Sequence, residues 1–166
     1  PFTVAMLLVD WEENLGVGTE KNRGASHHAG DGGVVVVFQD QEGETVAITG
    51  DHWKAQTFYT APVKDPACPT EDGSIRRSDH CDTGGSNDGS AYFGLHWKLP
   101  DAWSSADFDD SSWPKATTFT NEQIGVDNKP AYTNFTAIFD AKEDAQFIWS
   151  TNVILDNLVL VRHRVQ

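Results

Sequence analysis

Three aromatic side chains, Tyr92, Trp97 and Trp103, lie in stretches rich in Gly, Pro, Asp and Ser. An aromatic face on a loop can stack against the apolar side of a pyranose ring, and binding residues concentrate on loops held by a rigid frame. These three are the candidate ligand-binding residues, with packing in the core as the equal alternative. A second constellation, Asp79, Asp82, Asn87 and Asp88, offers the oxygen ligands that calcium prefers, although its spacing is not that of an EF-hand loop. A structural calcium ion is the cofactor it would serve; chance clustering in an acidic, solvated loop is the favoured explanation. Cys68 and Cys81 lack the close pairing of a C-x-x-C metal or redox motif. A disulfide between them is expected, which places the chain in an oxidising, extracellular or cell-surface setting, with two free thiols as the alternative.

Catalytic signatures are missing. The histidines at 27, 28, 52, 80, 96 and 163 form no H-E-x-x-H pattern, and no G-x-S-x-G elbow or Gly-rich phosphate loop occurs. His27-His28 reads as exposed polar sequence. Carboxylate pairs suited to hydrolysis can be found anywhere among 25 acidic residues, so none is informative. The expectation is a protein without independent catalysis. Asn134-Phe135-Thr136 is a glycosylation acceptor sequence, usable in a eukaryotic secretory setting when Asn134 faces solvent.

Twelve basic residues against 25 acidic give a formal charge of -13. That field repels phosphate backbones and anionic headgroups, so nucleic acid and membrane surfaces are excluded as partners. No run approaches the roughly 20 apolar residues of a membrane-spanning helix. Pro1-Phe2-Thr3-Val4 reads as folded sequence, as if a leader had been removed. With 166 residues, a single domain over 1–166 is expected.

The elements that would position these residues are strands. Short β-branched or aromatic runs separated by turn residues recur, and long runs at helical spacing do not. Strands are expected over Phe2 to Val9, Val34 to Phe38, Thr45 to Thr49, Trp53 to Thr60, Ala91 to Trp97, Asn134 to Phe139, Gln146 to Ser150 and Leu158 to Val161. The turn Gln41-Glu42-Gly43-Glu44 makes 34–49 the clearest hairpin. The four consecutive valines suggest burial on both faces. Residues 10–33 and 61–90 read as long loops, and Thr120 to Ile124 as one helical turn with Glu122 near a Thr cap. Trp53, Trp113 and Trp149, in apolar or motif contexts, are assigned to the core.

The stretch Phe108-Asp109-Asp110-Ser111-Ser112-Trp113 can fix a turn through its aspartates and anchor both ends through its aromatics. Followed by Ala116 and preceded by Gly50-Asp51-His52-Trp53-Lys54, it resembles the F-D-D-S-x-W turn and D-x-x-W-K hairpin end of galactose-binding-like jelly rolls, the accessory β-sandwich modules of rhamnosidase-type glycoside hydrolases. The resemblance covers 32–116 well and 147–162 loosely. It implies an all-β antiparallel jelly-roll sandwich and a non-catalytic carbohydrate-binding or adhesion role, but those motifs build scaffold and carry no sugar specificity. Such modules carry strands before the point where this chain starts, so Phe2 to Val9 is expected in mid-domain, its first strands lacking or shared with another polypeptide. An exposed edge is an association hazard. Glycans or another protein chain are therefore the expected partners, with a homo- or hetero-oligomer in view. A structural subunit of an extracellular assembly, and a processed accessory domain of a larger glycoside hydrolase, are the alternative functions.

Overall fold

The computed structural model of the chain describes residues 1–10, 32–84, 89–124 and 144–165. The expected strand at 134–139, most of the first loop and the acceptor Asn134 lie outside the described residues.

The fold is all-β and antiparallel. Four strands, β1 (Phe2–Val9), β10 (Asp156–Val165), β4 (Lys54–Val63) and β7 (Phe93–His96), form the main sheet in that spatial order. A second layer is built from the hairpin of β2 (Val37–Gln39) with β3 (Thr45–Ile48) and the pair β8 (Thr117–Phe119) with β9 (Phe147–Trp149). A bridge from Val34 to Ile148 joins these two ladders. The alternation of side chains along each strand sends Val4, Met6 and Leu8 of β1, Ala55 of β4, and Val159 and Val161 of β10 into one cluster with Val34, Phe38, Phe119, Ile148 and Trp149 of the second layer. That is the interior of a β-sandwich.

The opposite face of the main sheet is covered as well. Phe58 and Leu160 pack there with Trp113, Trp97, Leu99, Trp103 and Phe108, supplied by the segment 97–113. Double cover explains why nearly every residue of β4 is buried. Each fully buried aliphatic or aromatic side chain contributes about 1.5–3 kcal/mol.

The two motifs singled out in the sequence lock onto each other. Trp53 is fully buried, donates its indole N–H to the Ile48 carbonyl at 2.7 Å and stacks between Phe38 and His163. Its backbone carbonyl accepts from Ala116 N–H at 2.8 Å, and Lys54 Nζ donates to the Trp113 carbonyl at 2.8 Å. Asp109 accepts from Ser111 N–H, as a turn aspartate should. Asp110 instead pairs with the fully buried Arg162 of β10 at 2.8 Å, whose guanidinium also donates to the carbonyls of Trp103 and Ser105 and lies over the Phe108 ring. The turn is thus clamped to the sheet by a charge the sequence pattern does not mark.

Several expectations are corrected. The segment 61–90 is not one loop: β4 runs on to Val63, and β5 (Thr70–Asp72) and β6 (Ile75–Arg77) form a further hairpin. Its strands carry few apolar residues, so no period-2 signal marks them, and Gly73 turns the chain with φ 61°. Of the valine run only Val37 belongs to a strand, and all four valines are half-buried, not enclosed on both faces. Val36 N–H is taken by the Thr49 hydroxyl, which interrupts the ladder. The helical turn, α1 (Asn121–Ile124), is capped by Thr120 reciprocally with Gln123. Cys68 and Cys81 form the expected disulfide, with Cα atoms 5.8 Å apart. Among the described residues no helix is long and apolar enough to cross a membrane.

Candidate functional site

β7 pairs only with the second half of β4. Beside the first half of β4, among the described residues, the backbone is met by a single bridge, Lys54 to Lys115, and by the Arg76 side chain at the Thr57 carbonyl. The β5–β6 hairpin and the start of β8 flank this edge and leave a cavity of about 210 Å³ between them. Gln56 and Thr57 of β4, Arg76 and Arg77 of β6, and Lys115 and Ser150 are among its walls. Among the described residues three of the lining side chains are basic and none is acidic, in a chain with about twice as many acidic as basic residues. That inversion is local and marks the cavity.

The hairpin is held firmly. Gln56 Nε2 donates to the Ser74 carbonyl, and Ser74 Oγ donates to the Ser112 carbonyl at 2.7 Å. Arg76 donates to the Thr57 carbonyl at 2.6 Å, and its guanidinium lies between the rings of Phe58 and Trp97, 4.7 and 4.6 Å from their centroids. Burial pulls the Arg76 pKa down and the Glu71 carboxylate pushes it back up. Glu71 approaches Arg76 Nε only to 3.8 Å, an ion pair without a hydrogen bond. Arg77 pairs with Asp79 at 3.4 Å in solvent, and Lys115 forms no ion pair among the described residues.

Two buried polar atoms of residues that line the cavity, Gln56 Oε1 and Arg76 Nε, have no hydrogen-bond partner among the described residues. Both are shielded from solvent, and Arg76 Nε faces the Glu71 carboxylate at 3.8 Å. Buried polar groups are nearly always paired.

The aromatic candidates are dispersed. Trp97 and Trp103 both pack on the Phe58–Trp113–Leu160 cluster. One face of Trp97 is taken by Arg76, and its indole N–H donates to Glu71 at 3.0 Å. The Trp103 carbonyl serves Arg162. Tyr92 stands apart, 62% exposed, with its ring against Phe93. Only Trp97 touches the cavity wall, through Arg76.

Of the calcium candidates, Asn87 and Asp88 lie outside the described residues. Asp82 accepts from Lys64 Nζ at 2.9 Å and from Gly84 N–H, which hold its pKa below the usual carboxylate range. Asp79 accepts from Arg77 and from Thr151. Among the described residues the metal-type trio is Cys68, His80 and Cys81, but both sulfurs are in the disulfide and His80 Nε2 contacts the Cys68 carbonyl.

Sequence reasoning missed Gln56, Arg76 and Lys115. Arg76-Arg77 is the one adjacent basic pair in this acidic chain, and that was the available signal. No family model, curated protein or solved structure matches the chain.

Proposed function

We propose that this chain is a non-catalytic carbohydrate-binding or adhesion module of a secreted or surface protein, built on a galactose-binding-like jelly roll, with its sugar in the cavity beside β4. The observation that carries the reading is the cavity itself, lined by Gln56, Thr57, Arg77, Lys115 and Ser150 in place of the apolar side chains of a core. Sugar hydroxyls both donate and accept, which suits a lining of amide, hydroxyl and cationic groups. The interlocked Trp53-Lys54 and Phe108–Trp113 segments support the kinship, and the disulfide is compatible with an extracellular protein. Thr151→Trp, which places an indole in the cavity, is expected to abolish retention on the glycans that the native chain binds in an array, with its melting temperature unchanged. Full retention by this variant would move the sugar elsewhere.

A second reading, a building block of a surface assembly, rests on β1. This strand is the edge of the main sheet, and its Phe2, Leu7 and Val9 are exposed among the described residues. Binding to no glycan, together with a stable hetero-complex in native mass spectrometry, would favour it.

A further inference from the structure

Cys68 precedes β5 and Cys81 follows β6, so the disulfide closes the loop that carries this hairpin. Cys68 Sγ, Cys81 Sγ and a ring nitrogen of His80 all lie within 4.8 Å of one another. Two thiolates and an imidazole are ligands of the kind zinc takes, whereas calcium and magnesium take oxygens. We propose that reduction of the Cys68–Cys81 bond converts this cluster into a zinc site, with the two thiolates and His80 as ligands.

The cysteines are placed by more than the bond between them. Cys68 N–H donates to the Asp65 carbonyl at 3.0 Å, and Cys81 N–H to the Ser78 carbonyl at 2.9 Å. Asp65 Oδ1 also accepts from Ala67 N–H, while Ser78 is fastened to Asp156 and Asn152. Lys64 pairs with Asp82 at 2.9 Å and ties the two segments together without the sulfurs. Both cysteines pack with Val63 and Leu155. Reduction therefore leaves two thiols side by side. His80 is exposed, and its Nε2 donates to the Cys68 carbonyl at 2.8 Å. A carbonyl only accepts, so the neutral ring keeps its lone pair on Nδ1, and a carbonyl partner of this kind orients a metal-binding imidazole.

A dithiol reductant exchanges with the bond, becomes a disulfide itself and passes its two hydrogens to Cys68 and Cys81. One zinc ion then displaces the two thiol protons to solvent, with no change in its own oxidation state. The three residues fill three of the four tetrahedral positions. The loop is closed by sulfur under oxidising conditions and by the metal under reducing ones.

Zinc chloride titration of the full chain, either oxidised or reduced with a dithiol and freed of it under nitrogen, tests this. The reduced chain is expected to bind one zinc at least about a hundredfold more tightly than the oxidised chain, releasing about two protons at pH 7. Cobalt(II) in place of zinc should give a thiolate charge-transfer band and the visible bands of a tetrahedral centre. His80→Ala, at an exposed position, is expected to fold normally and to lower zinc affinity about tenfold or more. Zinc should also raise the melting temperature of the reduced chain and leave that of the oxidised chain unchanged, which reads the site even if reduction loosens the loop. Equal zinc binding by the two forms, or undiminished affinity in His80→Ala, overturns the proposal. So does a reduced chain that takes up no zinc.

Discussion

Two polar clusters meet at Ser150, and they are finished differently. One is the Asp156 carboxylate, fully buried at the start of β10. It accepts from Thr60 Oγ1 at 2.7 Å, Ser78 Oγ at 2.8 Å and Ser150 Oγ at 2.6 Å. The other is the cavity wall, which Ser150 also lines, where Gln56 Oε1 and Arg76 Nε have no hydrogen-bond partner among the described residues. Asn157 Oδ1 is likewise unpaired, but it is not part of that wall. The first cluster is closed by the protein's own donors, whereas the second leaves an acceptor and a donor without a hydrogen bond among the described residues. Asp156 ties β4, β10 and the 78–81 turn together; the Gln56 wall fastens the β5–β6 hairpin to β4.

The largest effect should come from breaking the closed cluster. Asp156→Ala strands three buried hydroxyls and is expected to cost about 3 kcal/mol in urea unfolding. A loss under about 1 kcal/mol would mean that the hydroxyls find other acceptors and the cluster is not structural.

Gln56→Met is expected to shift stability by no more than about 1 kcal/mol, because it removes an unpaired acceptor along with the bond to Ser74. Sugar retention should fall in the same variant. Destabilisation equal to that of Asp156→Ala would erase the distinction between the two clusters.

The smallest effect concerns pH. Burial raises the Asp156 pKa above its ordinary value, against the pull of the Ser150, Thr60 and Ser78 hydroxyls. The folded state therefore takes up its proton at higher pH than the unfolded chain. This carboxyl thus adds stability as pH falls through its raised folded pKa, in full once pH is below the unfolded value of about 3.9. Asp156→Asn lacks this contribution. The stability of the native chain relative to that variant should increase from pH 7 towards pH 4; a decrease would show that the hydroxyls outweigh burial.

The fold was largely legible because its signals are local. Alternating apolar residues and the Asp40–Glu44 turn, with Asp40 Oδ1 accepting from the N–H groups of Glu42 and Glu44 and Gly43 at φ 85°, specify the β2–β3 hairpin without reference to the rest of the chain. Burial of Trp53, Trp113 and Trp149 follows from their apolar and motif surroundings. The β5–β6 hairpin escaped because it is anchored by Arg76 between two rings and by Ser74, contacts that leave no periodic trace. Composition marks Trp97 and Trp103 as loop residues but does not report what packs against a ring: Arg76 lies over Trp97, and both tryptophans join the Phe58–Trp113–Leu160 cluster.

The amino-acid order alone determined an antiparallel β protein with a tryptophan-rich core and a linked cysteine pair, since strand period, turn chemistry and cysteine count are properties of short stretches. Only the tertiary structure decided where recognition could lie. Gln56, Arg76 and Lys115 come from three separated segments, and whether a polar atom is satisfied depends on partners that chain folding, not sequence proximity, brings beside it.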